Sequence, residues 1–242
     1  MADGLIAAPG YGINRVKGGE GMKLALQALL KLLLGFALMA GLIFLPAGTL
    51  AFSGGWLLLA ILFVPMTVAG VILLVKAPDR LRKRLDTKEK LKSQTTAVRL
   101  SALMFCIGFS VAGHSYRMGL YQLPRAVRLG AAAVFLAGYA LYGVVLAQNP
   151  FLSRTVGVQE GQYVVDTGLY AIVRHPMYTA TIPMFLAMPL VLGSLYALPV
   201  FLFYPALIYR RLREEEALLC EQLPGYRDYM ARVKWRLISF IY

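Results

Sequence analysis

An all-α, polytopic membrane helix bundle is the fold class this sequence predicts, with about six crossings counting a C-terminal helical hairpin and both termini cytoplasmic. Three observations carry that expectation. The 242 residues are 59% hydrophobic and only 15% charged, with a mean hydropathy of +0.64, whereas a soluble domain carries about 25% charged residues. The apolar residues gather in blocks of about twenty, the length that crosses a ~30 Å hydrocarbon core. The charges lie between those blocks. A soluble enzyme, a disordered protein and a coiled coil are excluded together.

Residues 1–22 are Gly-rich and mixed, with no helical period, and read as a loose or surface-lying arm. Gly10 and Gly12 lack the preceding strand and following Gly-Lys of a phosphate loop. Apolar spans follow at 24–45, 55–75, 98–116 and 127–147, and Lys31 snorkels from the end of the first. The stretch from Met177 to Tyr209 has 33 residues, which as one helix would be ~50 Å long. That overshoots a bilayer. Gly193 and Ser194 lie near its middle, and Pro183, Pro189, Pro199 and Pro205 interrupt it, so a tight helical hairpin is expected.

Orientation follows from the excess of Lys and Arg in cytoplasmic loops. Segment 76–99 holds nine basic residues, connection 46–54 holds none, and 117–128 holds Arg117, Arg125 and Arg128. Six crossings leave 21 of the 25 basic residues and all 12 acidic residues cytoplasmic. An odd number would put the Arg-rich end at 210–236 outside. The run 80–92 is expected to rest on anionic headgroups. The net charge of +13 is distributed between spans, with no solvated basic domain to hold a nucleic acid. Cys106 and Cys220 stand far apart without metal-ligand spacing, which argues against zinc and a disulfide framework, and Cys106 is expected to be a packed thiol.

Two cytoplasmic segments, 149–178 and 210–242, flank the hairpin, whose arms return both to one membrane face. In the first, Arg174 and His175 precede Pro176, a residue favoured in the first helical turn. The free N–H groups of a helix start attract anions, so this is a seat for a carboxylate or phosphate; the alternative is a lipid-headgroup contact and a plain helix start. In the second, Glu214, Glu215 and Glu216 follow Arg210, Arg211 and Arg213. Three adjacent carboxylates beside the bilayer demand cationic partners. Helical i,i+4 pairing suits at least one, and since successive residues point about 100° apart, the three do not share one role. An anion seat on one arm and a carboxylate on the other suit a zwitterionic ligand.

Together these segments resemble the isoprenylcysteine carboxyl methyltransferase family, including bacterial members and the related phospholipid methyltransferases. The resemblance is carried by Gly168, Leu169 and Tyr170, by Arg174-His175-Pro176 with Tyr178, and by Glu215-Glu216 after an apolar hairpin. The tail from Leu223-Pro224-Gly225-Tyr226 through Tyr229 to Trp235-Arg236-Leu237-Ile238 is similar to the bacterial branch, although Ser239 stands where that tail commonly has proline. The likeness covers 149–240. It implies an integral protein of the bacterial cytoplasmic membrane that binds S-adenosylmethionine and methylates a lipophilic or small acceptor, with membrane lipid as its surroundings. It divides the chain into the arm, a four-helix region at 23–147 and a cofactor-binding region at 148–242.

On that resemblance, Gly168, Tyr170, His175, Pro176, Tyr178 and Glu216 bind the cofactor. Its carboxylate suits His175, Arg174 and the helix start, its ammonium and sulfonium suit Glu216, and its adenine stacks on Tyr170 or Tyr178. Arg174 or Arg236 holds a carboxylate acceptor, and Glu215 is among the glutamates available as a base for an amine. His114 reads as structural, and Asn149 and Ser153 as helix-end caps or lining of the substrate path. Trp56 and Tyr121 fit an interfacial aromatic belt. Two other readings compete: an NADPH-dependent membrane reductase related to sterol reductases, which would be expected to need more basic residues and a longer chain, and a non-catalytic transporter or scaffold. Against the last, the halves show no inverted repeat and the spans hold no deep charge.

Overall fold

A computed structural model describes residues 18–85, 92–153 and 157–238. The arm up to residue 17, Lys88 and Lys90 of the basic run, and Ser239 lie outside the described residues. Among those described, the regular structure is helical: α1 (Gly18–Ala47), α2 (Ser53–Lys76), α3 (Pro78–Leu85), α4 (Lys92–Arg117), α5 (Arg125–Gln148), a 3-10 turn (Gly168–Ala171), α6 (Pro176–Val191), α7 (Leu198–Phe201), α8 (Tyr204–Gln222) and α9 (Tyr226–Arg232). Helices α1, α2, α4 and α5 are long and apolar enough to cross a membrane. The protein is an all-α polytopic membrane bundle. α1 already begins at Gly18, so the last residues of the expected arm belong to the first helix.

The hairpin forms where the prolines and Gly193 require it. Pro176 opens α6 at its first position, where a missing N–H costs nothing. Gly193 turns the chain at φ +81°, a conformation that disfavours any side chain. The tip lies among the ends of other helices: Leu123 N donates to Gly193 O at 2.9 Å, and the Ser115 and Ser194 hydroxyls meet at 2.8 Å in a buried contact. The hairpin thus runs the length of the bundle, although α6 with 16 residues is only ~24 Å long.

The main core joins α1, α2, α4, α5 and the hairpin around Phe44, Phe52, Phe109, Phe135, Phe201 and Leu212. Phe105 meets Phe185 and Phe201 edge-on at centroid distances of 5.2 and 5.8 Å, which locks α4 to both hairpin arms. Outward faces stay apolar: Leu26, Leu34, Val64, Val75 and Leu103 are all exposed, as expected of helices solvated by lipid. Cys106 departs from expectation. It is exposed on α4, because the packed stripe of that helix is taken by Met104, Phe109 and Ala112.

At the opposite face, α3 folds back beside α1, where Arg82 pairs with Glu20 at 3.2 Å and Lys31 donates to the Leu85 carbonyl. Lys83 reaches Gln159 Oε1 at 2.7 Å, tying α3 to the segment after α5. A second, smaller core of Leu223, Tyr226, Tyr229 and Val233 holds the C-terminal segment beneath α8. This face carries the site.

Candidate functional site: a cleft beneath the hairpin

The C-terminal segment is laced onto the hairpin entrance by main-chain bonds. Arg174 N donates to Trp235 O and His175 N to Arg236 O, each at 2.9 Å. Arg174 Nη1 donates to the Val233 and Lys234 carbonyls at 2.8 and 2.9 Å, and Thr179 Oγ1 donates to Leu237 O at 2.6 Å. Arg174 is therefore a buried strut.

Glu216 closes the same knot from α8. Its Oε1 accepts from Arg174 Nε at 2.7 Å and lies 3.3 Å from His175 Nε2, while Oε2 accepts from Arg236 Nε at 2.9 Å. Burial raises its pKa, but the bond and charge of His175 and then of Arg174 outweigh that and hold the carboxyl at about 2. A carboxylate only accepts, so His175 Nε2 carries the proton of that contact.

The three glutamates part company as their 100° spacing requires. Glu214 pairs with Arg210 at 3.1 Å on the exposed side of α8, the i,i+4 contact expected from sequence. Glu215 Oε2 accepts from the Tyr178 hydroxyl at 2.7 Å. Glu216 faces inward.

Between the two segments lies a cleft with about 860 Å³ of space, part of it open to solvent. Tyr170, Arg174, His175, Tyr178, Arg211 and Glu215 line it, with Asn149 and Ser153 at one side and Tyr226 and Tyr229 from α9. Apolar surface comes from residues including Leu152, Met177 and Leu223. The fold thus brings Tyr170, Arg174, His175, Tyr178 and Glu215 to one cavity. Gly168, Pro176, Glu216 and Arg236 stand behind its wall. Gly168, at φ +60°, sits so close to the Gln148 side chain that a Cβ would lie 2.6 Å from Nε2. It lets the 3-10 turn dock, with Leu169 N donating to Gln148 Oε1 at 2.9 Å.

The aromatic wall is held by polar contacts. Asn149 stands at the C-cap of α5, where its Oδ1 accepts from Phe151 N at 2.9 Å and its Nδ2 donates to the Tyr170 hydroxyl at 2.9 Å. Burial, chiefly, pushes the Tyr170 phenol up to about 12, so it stays neutral. Tyr178 stacks near His175, with ring centroids 5.8 Å apart and planes 28° from parallel. Arg211 Nε donates to the Tyr178 hydroxyl at 3.2 Å, so a cation and a carboxylate share one phenol at the cleft. Sequence reasoning passed over Arg211 as an individual residue; its spacing of four from Glu215 on one helix face was the available signal. His114 lies elsewhere, with Nδ1 2.9 Å from Ser110 O within its own helix.

The sequence is similar to known proteins over part of its length. Over 92 residues, 37% of this chain, the sequence is 32% identical to the Delta(14)-sterol reductase TM7SF2 of Mus musculus. The match spans only 22% of that relative's length. The model of the isoprenylcysteine carboxyl methyltransferase (ICMT) family matches residues 129–221, from α5 through the Arg174-His175-Pro176 turn and the hairpin to the glutamates of α8. Over this segment the chain is similar to the isoprenylcysteine carboxyl methyltransferase family.

Proposed function

We propose that the protein is an integral membrane S-adenosylmethionine-dependent methyltransferase acting on a lipophilic or small acceptor at the membrane face that carries the cleft. The observation that carries this reading is the cleft's mixed chemistry. Aromatic walls from Tyr170 and Tyr178 stand beside the Glu215 carboxylate, the His175 imidazole and the Arg211 guanidinium. Those residues fit a zwitterionic ligand with an aromatic base. When bound, the cofactor supplies an electrophilic methyl group on a sulfonium.

The roles divide between lining and support. Tyr170 and Tyr178 offer faces for adenine. Glu215 offers a carboxylate to an ammonium or sulfonium, a part first assigned to Glu216, whose two oxygens already meet Arg174, His175 and Arg236. His175 and the start of α6 at Pro176 offer an anion seat. Arg174, Arg236 and Glu216 keep the C-terminal segment docked and so shape the cavity.

An ionised carboxylate acceptor needs no general base, and Arg211 is the cation at the cleft suited to hold it. A thiol or amine acceptor needs its proton removed, and Glu215 is the base within the cleft. Enclosure between the hairpin and C-terminal segment orients the acceptor and strips water from it, which lowers the barrier of a displacement. Likeness to a sterol reductase over 92 residues supports a second reading, NADPH-dependent reduction of a lipid.

The test is transfer of labelled methyl from S-adenosylmethionine to carboxylate, thiol and amine acceptors bearing an apolar tail. Base-labile label on the carboxylate acceptor marks ester formation. Absence of transfer to all three, with NADPH oxidised in the presence of a sterol, would replace the first reading by the second.

A further inference from the structure

Tyr226 opens α9 directly after Gly225 and walls the cleft. Its side chain is almost wholly enclosed, at 4% exposure, yet its hydroxyl has no hydrogen-bond partner among the described residues. Its aromatic neighbours in the cleft differ. The Tyr170 hydroxyl accepts from Asn149, the Tyr178 hydroxyl donates to Glu215, and the Tyr229 hydroxyl donates to the Tyr170 carbonyl at 2.7 Å. Buried polar groups are satisfied in the large majority of cases, and an exception at a cavity calls for a reason.

The ring has little freedom to seek a partner elsewhere. It packs against Tyr229 at a centroid distance of 5.6 Å and within the small core that includes Leu223 and Val233. Burial, with Glu216 and Glu215 nearby, raises its pKa well above the ordinary tyrosine value. The group therefore keeps its proton and is available as a donor.

We propose that Tyr226 is a cofactor-binding residue whose hydroxyl donates a hydrogen bond to an oxygen or nitrogen acceptor of bound S-adenosylmethionine. This rests on the methyltransferase reading above. It gives α9 a direct part in ligand recognition, beyond docking the C-terminal segment. A buried donor that is unmet in the free protein and met in the complex makes removal of the hydroxyl act oppositely on the two states.

The experiment pairs calorimetric binding of S-adenosylhomocysteine, in the absence of any acceptor, with thermal unfolding of the ligand-free protein, for wild type and Tyr226→Phe. The expected result is a dissociation constant weakened roughly three- to tenfold, the worth of one hydrogen bond, with the ligand-free unfolding temperature unchanged or raised. Tyr229→Phe, which breaks a bond already made to Tyr170, is expected to lower that temperature. Equal affinity in wild type and Tyr226→Phe overturns the inference alone. A lowered unfolding temperature in Tyr226→Phe overturns it too, by revealing a structural bond. Failure of folded wild type to bind removes the cofactor reading and the inference with it.

Discussion

Arg174 Nε and Glu216 Oε1 meet at 2.7 Å with 6% of each side chain exposed, and this contact joins the mouth of the hairpin to the helix that leaves it. The two residues stand 42 positions apart in the chain. Arg174 also holds the Val233 and Lys234 carbonyls, so one guanidinium ties α8, the start of α6 and the C-terminal segment together. The cleft exists because that knot holds.

Breaking the knot from its acidic side is expected to be costly. In Glu216→Gln the buried Arg174 guanidinium loses its counterion, and stability is expected to fall by about 3 kcal/mol, the usual scale for removing one partner of a buried pair. Thermal unfolding in detergent measures it. A change below about 0.5 kcal/mol would mean that the pair behaves as a surface contact.

Acid is expected to undo the same contact. The Glu216 carboxyl titrates at about 2 in the folded protein, below the ~4.3 of an ordinary glutamate. Its stabilisation is therefore complete above the ordinary value and is lost as pH falls through the window from ~4.3 toward about 2. Unfolding temperature should decline across that window in wild type and less steeply in Glu216→Gln. Parallel slopes would contradict the assignment.

Glu215 offers the opposite profile. Glu215→Gln keeps an acceptor for the Tyr178 hydroxyl while removing charge from the cleft. Stability is expected to change little, whereas S-adenosylmethionine binding is expected to weaken roughly tenfold, the scale of a charge-assisted hydrogen bond. Calorimetry beside an unfolding curve separates the two effects. Unchanged binding would remove Glu215 from the ligand set.

Glu214 completes the series. Its pair with Arg210 lies on the exposed side of α8, and exposed helical pairs contribute about 0.3–0.5 kcal/mol. Glu214→Gln is expected to leave binding and methyl transfer at wild-type levels. A large loss of either would mean that the division of labour along α8 is wrong.

Much of the architecture was legible because lipid imposes simple rules. Span length, the prolines around Gly193 and the charge-free connection at 46–54 all reflect what a bilayer tolerates, and the hairpin forms where they point. The Arg174-His175-Pro176 turn and the glutamates were legible as a pair of charged segments returned to one face. Partner choice was not. Nothing along the chain says that Arg174 faces Glu216 and main-chain carbonyls, because that pairing depends on how a tail some sixty residues downstream folds back. Cys106 was misjudged for a related reason: in a membrane helix an apolar block is as often lipid-facing as packed. Tyr226 had residue type but no visible partner, and only its buried hydroxyl distinguishes it from a core aromatic.

Binding of S-adenosylmethionine in the cleft beneath the hairpin is tested by titration of that compound into detergent-purified protein, with NADPH in parallel and His175→Ala as the comparison. Saturable S-adenosylmethionine binding is expected, weakened by His175→Ala and not reproduced by NADPH. Folded protein that binds NADPH and not S-adenosylmethionine would contradict it.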